Sequence, residues 1–330
     1  MDAPRADLNA LPLPELYREL AATGLVRRLI ELAHDEDLGA EDAPWSGRAR
    51  PDVARAWGGD ITTAACVDPA RTAKATLGLR TPGVIAGLAC VPDLLEVFAP
   101  GCRFTPSLRD GDRAEAGTML GVLEGPLDEV LGVERTLLNL VSRLSGVATR
   151  TATFRAAMGD GRARLYDTRK TTPGMRVLEK YAVRCGGGRC HRIGLFDAVL
   201  IKDNHIAGVG PGELGPFVKA AAERARSLPG RRPPAFVEVE VDTLGQLREL
   251  LALPAGVVDI VLLDNMKPAQ LREAAALRDQ HNPALELEAS GGVTLDTIGE
   301  VARTGVDRIS VGGLTHSAVS LDIGLDIGDQ

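Results

Sequence analysis

Apolar residues near the N-terminus recur at helical spacing. Leu25, Leu29 and Leu32 form one stripe and Val26, Ile30 and Ala33 a second beside it, so residues 15–33 are predicted to form an amphipathic helix. The period is lost over 40–58, "AEDAPWSGRARPDVARAWG", where Pro, Gly and Arg gather as in a surface loop. Residues 72–125 change to short β-like runs broken by turns, as in "ATLGLRTPGVIAG". Helical spacing returns at Leu137, Val141, Leu144 and Ala148.

From residue 163 the pattern becomes regular. Six short apolar runs, "ARLYD", "DAVLIKD", "AFVEVEVD", "DIVLLDN", "LELEASGG" and "DRISVGG", alternate with segments of helical character such as "TLGQLRELLAL". Strands alternating with helices predict parallel βα units, and runs this continuous predict strands buried on both faces. Each run ends in polar or glycine residues: Asp167 with Arg169 and Lys170; Lys202 to Asn204; Glu240 and Asp242; Asp264 and Asn265; Glu288 and Ser290; Ser310 and Gly312. One acid after a strand is ordinarily the next helix's N-cap. Six polar strand ends in succession predict a barrel or barrel-like domain with its site at that face. No repeat of 20 to 50 residues is visible.

Length and charge narrow the function. A chain of 330 residues is long for one core, and two domains are the default. A net charge of -7 argues against general nucleic-acid binding. No apolar run reaches membrane-spanning length. The five cysteines are too sparse for a disulfide scaffold and, with no secretory leader, fit reduced thiols in a cytoplasmic protein. Cys185 and Cys190 are spaced too widely for a CxxC zinc pair. The run "DGDRAEAGTMLGVLEG" looks like a biotinyl or lipoyl carrier hairpin, but its tip offers no lysine, so a carrier role is not expected.

Against the acidic total, Arg169 to Lys202 holds eight cations and only two acids, Glu179 and Asp197. Arginine forks bind carboxylates and lysine supplies point charge to phosphate. Arg169, Lys170, His191, Arg192 and Lys202 therefore point to a ligand carrying both groups. The glycines at 186–188 are expected to let the chain fold over it. Arg176, Lys180, Arg184 and Arg189 are the candidates for plain surface charge. The last two strands end in "ASGGVT" (Gly291, Gly292) and "SVGGLTHS" (Gly312, Gly313), each with a hydroxyl, Ser290 or Thr315, as a phosphate cradle would require. Glu240 and Asp264, on adjacent strands, suit Mg2+ on a diphosphate, sugar hydroxyls or a developing cation. In "VEVEV" Glu238 shares the face of Glu240, and one of the two has a structural role in this reading.

Eight stretches in order now resemble the quinolinate phosphoribosyltransferase family: "GDITT" (59–63), "ERTLLNLVSRLSGVAT" (134–149), "DTRKTTPGMRVLEKYAVRCGGG" (167–188), "HRIGLFDAVLIKDNHI" (191–206), "VEVEVD" (237–242), "VLLDN" (261–265), "EASGGV" (288–293) and "SVGGLTHS" (310–317). The resemblance implies a sandwich-like α/β N-terminal domain, residues 1–135, followed by an incomplete barrel of about six strands, 136–316, with a tail, 317–330, packing on the first domain. It implies transfer of phosphoribose from 5-phosphoribosyl 1-diphosphate to quinolinate, releasing diphosphate and CO2, with Mg2+ assisting. Arg135, Arg169, His191, Arg192 and Lys202 would then hold the quinolinate carboxylates, with Thr168 in the same pocket. Lys170, Glu240 and Asp264 would face the ribose and diphosphate as the catalytic set, the two acids also serving Mg2+, largely through the diphosphate. Ser290, Gly291, Gly292, Gly312, Gly313, Leu314 and Thr315 would cradle phosphate, with His316 nearby. A homodimer is implied, Arg135 crossing into the neighbouring site. The chain departs from the family at Cys190, where Asn often precedes the His-Arg pair, and in the length of its 40–58 segment.

Other readings stay open at this point. A related phosphoribosyltransferase-like protein would share the barrel and use another acceptor. A lyase would use Lys202 as a Schiff-base amine. A silent anion-binding protein would need no acids at 240 and 264.

Overall fold

The computed structural model describes residues 7–39, 59–210 and 212–328, so the predicted 40–58 loop lies outside the described residues. Two helices, α1 (Leu13–Ala21) and α2 (Leu25–Leu38), replace the single one predicted over 15–33. They part at Gly24, whose φ of 74° lies outside the helical region. Val26 and Ile30 are buried whereas Leu25 and Leu32 are exposed, so only one of the two apolar stripes serves as a core face.

Helix α3 (Ile61–Cys66) is capped by Asp60, whose carboxylate accepts the Thr63 N–H at 2.9 Å. The next stretch supplies β1 (Thr72–Leu79), β2 (Gly83–Val84), an unanticipated helix α4 (Val91–Phe98), β3 (Arg103–Pro106), β4 (Arg113–Ala114) and β5 (Met119–Pro126). The signal for α4 was present: Val91, Leu94, Leu95 and Phe98 are buried at i, i+3, i+4 and i+7. Helix α5 (Leu127–Met158) buries the predicted Leu137, Val141, Leu144 and Ala148. Then follow β6 (Arg164–Tyr166), α6 (Arg176–Cys185), β7 (Val199–Ile201), α7 (Leu214–Arg226), β8 (Val237–Val241), α8 (Leu244–Leu251), β9 (Ile260–Asp264), α9 (Pro268–His281), β10 (Glu286–Ser290), α10 (Leu295–Ala302), β11 (Arg308–Ser310), α11 (Gly313–His316) and β12 (Ile323–Ile327).

The chain divides into two compact units: Met1–Thr151, Thr172–Gly187 and Ser317–Gln330 form the first, Ala152–Thr171 and Gly188–His316 the second. In the first, an antiparallel sheet runs β12-β1-β5-β3. Strand β4 pairs with β2, so "DGDRAEAGTMLGVLEG" forms no self-contained hairpin. Two expectations fail in α6. Lys180 is fully buried, and Arg176 and Arg184 are half-buried, so none is a plain surface charge. The glycines after α6 end the helix instead of draping over a ligand: the N–H groups of Gly186 and Gly187 donate to Ala182 and Arg184 carbonyls at 3.0 Å each. A Cβ on Gly186 would meet the Ala148 carbonyl at 2.3 Å, so close helix packing demands glycine there.

The second unit is a six-stranded parallel sheet, β6-β11-β10-β9-β8-β7, matching the six apolar runs. It is open between β6 and β7. Arg189, half-buried, bridges to Tyr166 on the β6 edge, and the chain from there runs to β7. The odd-numbered residues of the central strands, such as Val239, Val261 and Leu287, are fully buried aliphatics. The even-numbered set includes Tyr166, Glu238, Glu288 and Arg308, all buried. This layer is charged and aromatic, where barrel interiors are dominated by Val, Ile and Leu.

Candidate active site

The interior layer is built from four elements. On β8, Glu238 Oε2 lies 2.9 Å from His191 Nε2, and Glu288 Oε1 on β10 lies 3.5 Å from the same nitrogen. Arg308 on β11 donates from Nε to Glu288 Oε2 at 2.7 Å. Its guanidinium carbon stands 3.8 Å from the centroid of the Tyr166 ring. Glu238 and Glu288 are both fully buried. Sequence alone did not single out Glu288 or Arg308 as part of a charged interior, nor separate Glu238 from Glu240.

Burial alone would lower the His191 pKa, but Glu288 and Glu238 outweigh it and push it up to about 10. Burial and the neighbouring Glu288 hold the Glu238 pKa above the usual carboxylate range. Nδ1 of His191 lies 2.7 Å from the Arg192 backbone nitrogen and accepts its N–H. The carboxylates favour a second proton on Nδ1 and the Arg192 N–H opposes it. The Arg192 N–H contact is the directional one, and it leaves Nδ1 as an acceptor with Nε2 toward Glu238.

The segment leading to β7 is fixed by side chains. His191 N–H donates to Asp167 Oδ1 at 2.8 Å, Arg192 N–H to His191 Nδ1, Ile193 N–H to Asp197 Oδ2 at 2.6 Å and Gly194 N–H to Asp197 Oδ1 at 2.8 Å. Four consecutive backbone donors thus find side-chain acceptors in place of a ladder. Asp167 and Asp197, both buried, read in the sequence as a strand end and a stray acid, and only the fold shows what they hold.

That segment brings Arg192 close to Arg169. Burial and the Arg169 charge depress the Arg192 pKa. Arg192 is buried and donates to the Ala198 carbonyl at 3.3 Å. Nε of Arg169 is buried with no hydrogen-bond partner among the described residues. Two like charges held together and partly desolvated are an arrangement that an anion stabilises.

At the strand ends, Lys202 Nζ lies 2.5 Å from Glu240 Oε2. Asp264 Oδ2 accepts from Asn265 Nδ2 at 2.7 Å. Asn265 has a φ of 52°, the one non-glycine residue with positive φ among those described. Its N–H donates to the Ser290 carbonyl at 2.9 Å, tying the end of β9 to that of β10. Gly291 and Gly292 follow at φ 88° and 62°, a conformation that disfavours side chains. Thr168 Oγ1 accepts the Lys170 N–H at 3.0 Å. The buried Thr315 hydroxyl approaches the carbonyls of Lys170 at 2.6 Å and Gly312 at 3.1 Å. Lys170 Cδ and His316 Nε2 lie 2.7 and 3.4 Å from where a Cβ on Gly312 would stand. Leu314 is fully buried, so its side chain packs in the core. Fifteen of the sequence-derived residues thus belong to the second unit along with Ser290, whereas Arg135 is exposed on α5 in the first.

Glu240 and Asp264 offer hard carboxylate oxygens on neighbouring strands, donor chemistry that suits Mg2+ shared with substrate phosphates. His191, Glu238 and Glu288 also stand at metal-like spacing. There, however, the Arg308 guanidinium already supplies the cation.

Fold and site define an open βα-barrel enzyme with charged residues gathered at its strand ends. The sequence description of the quinolinate phosphoribosyl transferase N-terminal domain matches residues 60–145, and that of the C-terminal domain matches 147–326. The chain is 42% identical over 273 residues to the nicotinate-nucleotide pyrophosphorylase [carboxylating] of Mycobacterium leprae, covering 82% of this chain and 92% of that protein. It is 39% identical over 269 residues to a probable nicotinate-nucleotide pyrophosphorylase [carboxylating] of Bacillus subtilis, with 82% and 88% covered. The structure of the nicotinate-nucleotide pyrophosphorylase from Francisella tularensis superposes with a TM-score of 0.76 at 30% identity, covering 98% of this chain and 100% of that one. The chain belongs to the quinolinate phosphoribosyltransferase family. No described helix is long and apolar enough to cross a membrane.

Proposed function

We propose that this protein transfers the phosphoribosyl group of 5-phosphoribosyl 1-diphosphate to quinolinate with loss of CO2, giving nicotinate mononucleotide and diphosphate in the cytoplasm. The observation that carries the reading is the pairing of Arg169 and Arg192, two partly desolvated cations whose mutual repulsion a dicarboxylate relieves. Lys202 and Thr168 complete the quinolinate pocket, and His191 adjoins it through its contact with the Arg192 backbone. Holding the pyridine nitrogen against the anomeric carbon provides the proximity term. As the bond to diphosphate breaks, the carboxylates of Glu240 and Asp264 stabilise the oxocarbenium charge, and Lys170 stabilises the leaving group. The Ser290–Gly292 turn and Gly312 to Thr315 backbone hold phosphate, with His316 beside them. When bound at Glu240 and Asp264, Mg2+ supplies further charge neutralisation on the diphosphate.

A Schiff base at Lys202 has less support, because its Nζ is held by Glu240 as an ion pair instead of being presented as a free amine. Relatives named for the transfer reaction favour the transferase over another acceptor. We assign a homodimer in which Arg135 of each chain enters the partner's pocket, the isologous arrangement two-fold symmetry generates.

The test is to mix purified protein with Mg2+, 5-phosphoribosyl 1-diphosphate and either quinolinate or nicotinate. Quinolinate should yield nicotinate mononucleotide and CO2. Nicotinate should be a far poorer acceptor, since losing one carboxylate leaves buried cations unpaired. Equal or better turnover of nicotinate overturns the assignment.

A further inference from the structure

Of the acidic residues along the barrel, Glu238 and Glu288 have no part in the reaction outlined above. Both are fully buried below the strand ends, and neither Glu238 oxygen nor Glu288 Oε1 has a hydrogen-bond partner among the described residues, so they meet the ring as close charges. Burying two carboxylates is costly unless they organise something. What they face is the His191 ring, whose Nε2 stands 2.9 Å from Glu238 and 3.5 Å from Glu288. Arg308 fixes Glu288 from the far side, and its own plane is held by Tyr166 and Phe236.

The consequence lies at the other ring nitrogen. With Nε2 aimed at the carboxylates, Nδ1 is left as an acceptor, 2.7 Å from the N–H of Arg192. Both nitrogens face protein groups, and His191 is only 8% exposed. Resting on the proposed function, the geometry points to Glu238 and Glu288 as positioning residues that orient His191, so that His191 acts through its hold on the Arg192 backbone and not as a direct ligand of the substrate carboxylate. Asp167 secures His191 and Asp197 secures Ile193 and Gly194, so the Nδ1 contact is the link that holds the Arg192 N–H. Glu240, two residues beyond Glu238 on the same face, meets Lys202 instead. One strand thus divides its acids between the mouth and the layer beneath it.

Two measurements test this. In wild-type protein labelled with 15N-histidine, long-range 15N–1H correlation should show His191 Nδ1 without a proton. A protonated Nδ1 overturns the proposal, whatever the activity. In kinetics, Glu238→Leu should raise the KM for quinolinate about ten-fold or more with kcat changed less than about three-fold, and Glu238→Gln, which keeps a carbonyl oxygen facing Nε2, should recover most of the loss. His191→Asn, which keeps an acceptor near the Nδ1 position, should likewise recover much of the KM lost in His191→Leu. Equal damage from Asn and Leu makes His191 a direct ligand and overturns the proposal. Should the leucine variants not fold, the Gln and Asn variants against wild type and the Nδ1 signal still decide. Failure of the wild type to convert quinolinate sinks the functional reading, while the Nδ1 signal continues to decide the geometry on its own.

Discussion

Asn265 Oδ1 occupies the space that a side chain on Gly291 would need, for a Cβ there would fall 2.3 Å from it. Each residue is also in a left-handed conformation, at φ 52° and 88°. The same amide binds Asp264, so crowding at Gly291 is transmitted to a carboxylate of the proposed catalytic set. We expect Gly291→Ala to cost about 1–3 kcal/mol of local strain and to lower kcat/KM about ten- to a hundred-fold. Steady-state kinetics beside a melting curve check it, and an unimpaired variant would show that this turn is not tied to catalysis.

The acids at the strand ends should act on the transition state more than on binding. Glu240→Gln and Asp264→Asn are each expected to lower kcat about ten- to a hundred-fold, leaving quinolinate affinity within about three-fold. Single-turnover rates together with a calorimetric Kd separate the two effects. Wild-type turnover in both variants would remove them from the mechanism.

At the N-terminal edge of β10 and β11, Asp307 accepts the Leu287 N–H at 2.9 Å and pairs with Arg278 and Arg162. Arg278, 1% exposed, also donates to the Leu285 carbonyl at 3.0 Å and the Gly305 carbonyl at 3.2 Å. Asp307→Ala leaves the buried Arg278 guanidinium with only the more exposed Asp279 carboxylate, on Nε at 2.6 Å, and should destabilise by about 3 kcal/mol. In βα barrels the N-terminal ends of the strands serve stability and the C-terminal ends the active site, so the folded fraction should keep near-normal KM values. Urea unfolding monitored alongside activity tells these apart.

The proposed sharing of the site makes a distinctive prediction for mixed dimers. Arg135→Ala and Lys170→Ala should each be nearly inactive alone. Refolded together in equal amounts, half of the dimers are mixed and each mixed dimer has one intact site, so about a quarter of wild-type activity should return. If subunit exchange is verified and activity stays at the parental level, Arg135 works within its own chain.

Much of the barrel was legible because its evidence is local. A run such as "DIVLLDN" is both buried strand and polar end, and the mouth residues Lys202, Glu240, Asp264 and Ser290 close or directly follow such runs. The glycines at 186–188 were legible as unusual and misread in purpose, since their demand comes from the Ala148 carbonyl across a helix contact. The helix α4 was hidden among β-like neighbours although its own spacing was helical.

Strand alternation, the acid and base types at each strand end and the family signature all depend on residues near one another in the chain, which is why they could be read before the fold was known. It took the folded barrel to show that Glu238 and Glu240 part company, one to His191 and the other to Lys202, and that Asp167, Glu288 and Arg308 belong to the same assembly. The physical reason is that a buried charge is tolerable only when its partners arrive together. Those partners come from strands far apart in sequence, and no local pattern records which of them will meet.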